Sequence, residues 1–116
     1  MAENLTPEQQ KELVGRYQGL RQEGDALYTK LGQVDGDRNE HELVLKQLSG
    51  LDGNRRCWQQ IGPVLAEKKV ADVLPVLTMN RDRFTDTVKQ LSETIKEKDK
   101  EITEMQTKYG IREVQK

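Results

Sequence analysis

Arg55-Arg56-Cys57-Trp58-Gln59-Gln60-Ile61-Gly62-Pro63-Val64-Leu65-Ala66-Glu67 interrupts a seven-residue apolar repeat that occupies the chain on either side of it. Within this stretch Cys57 to Ile61 and Val64 to Ala66 are short β-prone runs separated by Gly62-Pro63, a turn signal, so the spacing predicts a β-hairpin. A two-stranded hairpin alone is marginal in water, and a coiled-coil surface has no strand edge to offer it. The expectation is that it joins strands from sister subunits in an intersubunit sheet or barrel.

Before the hairpin, positions 13, 17, 20, 24, 27, 31, 34, 38, 41, 45, 48 and 52 recur in alternating steps of four and three. Eight of them are apolar (Leu13, Tyr17, Leu20, Leu27, Leu31, Val34, Leu45 and Leu48), which identifies a heptad seam. Thr6-Pro7-Glu8-Gln9 supplies an N-cap hydroxyl, a first-turn proline and a capping-box glutamine, and Gly53 a C-cap, so a helix is expected over about 6–52. After the hairpin the seam resumes at 74, 77, 81, 84, 88, 91, 95, 98, 102, 105 and 109, interrupted by Arg81 and Lys98. Asp72 is the expected cap, Pro75 falls in a first turn that tolerates it, and Gly110 ends a helix expected over about 72–109.

At 1.5 Å per residue these helices would be roughly 70 and roughly 57 Å long, and neither is stable alone with one wet stripe. The segment 53–71 lets the chain turn back so that its own helices pair antiparallel. That alignment sets Asp52 against Leu74, His41 near Phe84, Leu31 near Ile95 and Tyr17 near Tyr109, with both termini at one end. The first helix carries Gly15, Gly19, Gly24, Gly32 and Gly36, each costing on the order of 1 kcal/mol against alanine. A break at Val34-Asp35-Gly36-Asp37 would give a short bundle instead. The heptad phase runs through without a skip, which favours a continuous, flexible helix and a mainly α, single-domain chain over 1–116.

Composition narrows the function. Only 34% of the residues are apolar and 4% aromatic, too little for a globular core, while 19 basic residues nearly cancel 20 acidic ones, unlike most disordered chains. No segment gathers on a single face the Lys and Arg surplus that nucleic-acid binding needs, no apolar run spans a membrane, and the polar N-terminus is no signal peptide. The expectation is a cytoplasmic protein that holds other proteins. Cys57 has no second thiol for a disulfide or a metal, and His41, the single histidine, reads as a seam residue. No phosphate loop, dinucleotide fingerprint, zinc-protease motif or Cys-x-x-Cys pair is present, so no enzyme and no cofactor are expected.

Helix, β-hairpin, helix in this order resembles the β-type prefoldin subunits. Asn39-Glu40-His41-Glu42-Leu43-Val44-Leu45 is similar to that family's acidic-histidine motif. Arg55-Arg56-Cys57-Trp58, Ile61-Gly62, Val64-Leu65-Ala66-Glu67 and Val73-Leu74-Pro75-Val76-Leu77 follow the order of the eukaryotic subunit-2 branch, closed by Lys108-Tyr109-Gly110-Ile111. Trp58 stands in place of a tyrosine, and Pro63 replaces a glycine and removes a backbone donor.

The resemblance implies a hexamer of two α-type and four β-type subunits joined through a double β-barrel, with Cys57, Trp58, Ile61, Val64 and Leu65 on the oligomerisation strands. It implies an ATP-independent cochaperone that captures unfolded or nascent proteins such as actin and tubulin and passes them to the cytosolic chaperonin. Capture is expected at the end holding both termini, where Gly15, Gly19 and Gly24 let the seam splay. Leu13, Tyr17, Met105 and Tyr109 are its candidate residues, together with Leu5 and Ile111, which are expected to stay exposed past the helix ends. The alternative is a structural tether or adaptor, whose helices pair with a different protein.

Overall fold

A computed structural model describes residues 5–111. The order is α1 (Pro7–Ser49), β1 (Arg56–Ile61), β2 (Val64–Lys69) and α2 (Val70–Tyr109). Contacts divide the described residues into two compact units, one from residues 5–31 and 90–111 and one from 32–89, and each helix contributes to both.

In the first unit α1 starts as its sequence requires. The Gln9 N–H donates to Thr6 Oγ1 at 3.1 Å, and the Thr6 N–H donates to Gln9 Oε1 at 2.9 Å, a reciprocal capping box. Leu13, Tyr17, Ile95 and Ile102 are buried. Gly24 is buried too, and a Cβ there would lie 3.9 Å from Ile102 Cδ1, an ordinary van der Waals contact. Lys98, an expected interruption of the seam, donates to Glu23 at 2.8 Å. That hydrogen bond raises the ammonium pKa above its usual value.

In the second unit the expected register appears directly: the His41 and Phe84 rings meet edge to face, 5.0 Å between centroids. His41 Nδ1 also lies 2.9 Å from the Asp37 carbonyl, to which an Nδ1–H donates. Arg81 reaches across to Glu42 at 2.9 Å and along its own helix to Asp82 at 2.8 Å. Such long side chains can keep a charged head at the rim of an apolar seam while their stems cover it.

Both helix boundaries at the hairpin differ from expectation. α1 ends at Ser49 instead of 52, and the Leu51 N–H donates to the Leu48 carbonyl at 3.0 Å. Asp52 is used as a turn former: its carboxylate accepts the Asn54 N–H at 2.9 Å and its carbonyl accepts the Arg55 N–H at 3.0 Å. Gly53 is therefore no left-handed cap. It is a place of close approach, where a Cβ would stand 3.2 Å from that of Ala71. α2 follows β2 without a loop and begins at Val70, two residues before the expected Asp72 cap. The Val70 N–H donates to the Arg55 carbonyl at 3.0 Å and the Ala71 N–H to the Gly53 carbonyl at 2.9 Å, so backbone caps this helix instead of a side chain. Pro75 consequently lies in the second turn, inside the helix, where its missing N–H leaves the Ala71 carbonyl without an i+4 donor.

The strands are longer than expected. They pair antiparallel from Arg56↔Lys69 to Ile61↔Val64, and Gly62 at φ 59° with Pro63 after it fits a type II′ loop. The register closes across Pro63 without a slip. At the other end of α2, Gly110 has φ 64° and ends the helix as expected.

A Cβ at Gly15, Gly19, Gly32 or Gly36 would meet nothing within 4 Å, so packing does not require these glycines. Each change to alanine should therefore raise stability by about 0.5–1 kcal/mol in urea unfolding. If none of the four stabilises, α1 is not helical at those positions.

Candidate interaction surfaces

Two surfaces carry the residues singled out in the sequence, one in each unit. In the first unit Tyr17 is buried, 6% exposed, and its hydroxyl accepts a 2.8 Å hydrogen bond from Gln106. Leu13 is buried as well, whereas Met105 and Tyr109 are half-buried. Met105 and Tyr109 line a cleft of about 320 Å³ with Arg16, Leu20, Glu101, Glu104 and Lys108. Leu5 and Ile111, expected to be exposed, are half-buried. Leu5 folds back beside Leu13 and Tyr109, lining a smaller cleft of about 160 Å³.

The seam at this end is thus closed. Gly24 lies against Ile102, and Gly15, Gly19 and Gly24 all lower the helix propensity of α1. Val14 and Tyr28, outside the heptad positions, present apolar surface that seam counting does not pick out. The Tyr28 hydroxyl donates to Asp99 at 2.8 Å, and this bond, with the adjacent carboxylate charge, raises the phenol pKa above its usual value.

In the second unit the hairpin divides into two faces. Cys57, Gln59 and Ala66 are half-buried on one. On the other, Trp58 is 62% exposed and Leu65 60%. Ile61 and Val64, opposite one another at the turn, are also exposed. Four of the five strand residues expected to meet sister subunits therefore present apolar surface outward, and Cys57 is the half-buried exception. The base of the hairpin carries a local basic surplus, spread over both faces of the sheet instead of gathered on one. Pairing sets Arg56 opposite Lys69 and Lys68 opposite Cys57, next to Arg55, with Glu67 the single carboxylate on the strands. Arg56 Nε holds that carboxylate at 3.1 Å. The signal was visible as a local charge count over 55–69. Leu43, Val44, Val76 and Met79, none of them a seam position, are exposed too.

Among the described residues no group of three metal-ligating side chains occurs and no helix is long and apolar enough to cross a membrane. His41 is held between Phe84 and the Asp37 carbonyl, a packing role.

A family model described as prefoldin subunit matches residues 11–115. Prefoldin subunit 2 of Arabidopsis thaliana is 34% identical over 106 residues, covering 91% of this chain and 72% of the relative. Prefoldin subunit 2 of Homo sapiens is 32% identical over 102 residues, covering 88% of this chain and 66% of the relative, so the chain spans slightly less than two thirds of that protein. The crystal structure of the prefoldin beta subunit from Thermococcus strain KS-1 superposes with a TM-score of 0.77 at 13% identity, covering 95% of this chain and 99% of that one. This last likeness speaks to the fold.

Because the pKa of Tyr28 is raised in the folded state, its bond to Asp99 contributes below the ordinary phenol pKa of about 10 and is lost as pH rises through the folded value. A phenolate absorbance titration should show Tyr28 titrating late, identified by its shift back toward the usual range in Asp99→Asn. An unchanged titration in that variant would remove Asp99 as the cause.

Proposed function

The chain belongs to the prefoldin subunit family, and on that footing we propose that it is one β-type subunit of a hetero-hexameric, ATP-independent cochaperone in the cytoplasm. The hairpin joins sister strands of α- and β-type subunits in an intersubunit β-barrel. Unfolded or nascent proteins, actin and tubulin among them, are held by the seam residues of the other unit and handed to the cytosolic chaperonin. The observation that carries this reading is the hairpin itself: Trp58, Ile61, Val64 and Leu65 keep apolar surface in water on a two-stranded sheet with free edges. Such edges call for pairing with further strands.

The same surface disfavours the tether reading, in which the segment between the helices is a mere loop. Capture by Leu5, Leu13, Tyr17, Met105, Tyr109 and Ile111 requires the closed seam to open. Gly15 and Gly19 supply the weakness in α1 that lets it do so. Each such contact is weak, and affinity accumulates over several subunits of one assembly.

Native mass spectrometry of the chain recovered with its sister subunits should give a hexamer, which Trp58→Ser with Leu65→Ser abolishes. A stable homodimer that gains no sister chains would favour the tether. For capture, Leu5→Ser with Ile111→Ser should weaken suppression of client aggregation while the hexamer remains intact, and unchanged suppression would move the contact elsewhere. Amide exchange in that hexamer should be fast over residues 5–24 and 105–111 and slow over both strands. Uniform protection would rule out opening of the seam.

A further inference from the structure

We infer that the base of the β-hairpin selects its neighbour by charge, taking a sister strand that brings carboxylates to Arg55, Lys68 and Lys69 and rejecting a second copy of this chain. This rests on the reading that the hairpin pairs with sister strands, and it adds the chemistry of the neighbour.

The base is a basic patch in a chain whose net charge is −1. Arg56 and Lys69 are directly opposed, a placement that sets Cβ atoms about 5 Å apart and is unfavourable for like charges. The sheet's one carboxylate, Glu67, is already taken by Arg56 at 3.1 Å. The Arg55, Lys68 and Lys69 side chains have no hydrogen bond or ion pair among the described residues. Lys69 lies on the face of Trp58 and Lys68 on the face of Cys57, so both faces are positive at this end.

The backbone beneath these cations is fixed. The Arg55 N–H is bonded to the Asp52 carbonyl, the Arg55 carbonyl receives the Val70 N–H, and the Val70 side chain is fully buried. A local conflict kept on a rigid support points to a contact outside the chain.

A second copy cannot resolve the conflict in either strand direction. Laid parallel and in register, it places its own cations against these, its Glu67 being already held by Arg56. Laid antiparallel with the ends aligned, it offers Ile61-Gly62-Pro63-Val64, which carries no acid. A strand of another sequence with acidic residues at the matching end compensates all three charges. Charge arranged in this way discriminates among partners more than it adds raw affinity.

The test titrates labelled wild-type chain with two full-length probes. Arg55→Glu, Lys68→Glu, Lys69→Glu places acid at the base and leaves the Arg56–Glu67 pair intact. Gln59→Glu, Gln60→Glu places acid toward the turn. One of the two probes should bind wild type about tenfold more tightly than wild type binds itself, the preference falling to about twofold between about 50 mM and about 500 mM salt. The identity of that probe gives the strand direction. The neutral variant Arg55→Gln, Lys68→Gln, Lys69→Gln should keep wild-type helicity by circular dichroism and lose the preference.

If neither probe is preferred, the inference is overturned. It is equally overturned if wild type instead binds a labelled oligothymidine that the neutral variant does not bind. If association requires Trp58 and Leu65 but is indifferent to charge, the charge inference falls alone and the hairpin remains the interface. If the preference survives Trp58→Ser with Leu65→Ser, contact lies off the hairpin, and both readings fail.

Discussion

The backbone bond from the Val70 N–H to the Arg55 carbonyl, with that from Ala71 to Gly53 beside it, sets the geometry of everything between α1 and α2. It caps α2 with the segment that leads into β1, so the end of β2 and the start of the helix become one continuous element. Val70 is the one large side chain that is fully buried among the described residues, and Val73 is buried one turn on. A helix start whose first donors are satisfied and whose first apolar residue is out of water does not fray readily. The hairpin is therefore presented from a fixed base, although little of its own surface is covered.

Stability within the helices is distributed unevenly. α1 contains five glycines and α2 none. One of the five, Gly24, stands where Ile102 packs, and the other four have open space where a Cβ would be. The polar seam positions on α2 are engaged across the pair, with Arg81 holding Glu42 and Lys98 holding Glu23. These ion pairs are exposed to solvent and contribute little stability each. Their use is to let two charged residues occupy seam positions without leaving an unpaired charge beside apolar neighbours. By glycine content α2 thus has the higher helix propensity of the two.

The parts legible in the sequence were those written in short-range spacing. Thr6 and Gln9 lie three apart and cap α1 as read, and heptad counting placed His41 opposite Phe84 across the hairpin. Where backbone partners lie far along the chain and follow no heptad spacing, the reading failed. Asp72 looked like the cap of α2 because nothing near Val70 in sequence shows that Arg55 and Gly53 will supply the acceptors. The basic patch was legible in part: a charge count over 55–69 shows the surplus, and strand pairing then makes Arg55-Arg56 and Lys68-Lys69 neighbours. Leu5 and Ile111 were misjudged in exposure: a chain end past a helix can still fold onto the last turns, as Leu5 does beside Tyr109.

An exposed, apolar, two-stranded sheet is a hazard for any chain that carries it, because its free edges template pairing with whatever strand arrives first. Proteins that must keep such a strand commonly flank it with charge, which raises the cost of wrong pairings without burying the strand. Here the apolar residues Trp58, Ile61, Val64 and Leu65 occupy the middle and turn of the hairpin, and the cations Arg55, Arg56, Lys68 and Lys69 occupy its base. The apolar portion favours association with almost any strand, so it cannot distinguish a sister subunit from a second copy. The charged portion can, because it is sensitive to what the arriving strand carries. Placing it on the backbone fixed by Val70 holds the cations in register with the strands, so that the discrimination applies at the moment of pairing.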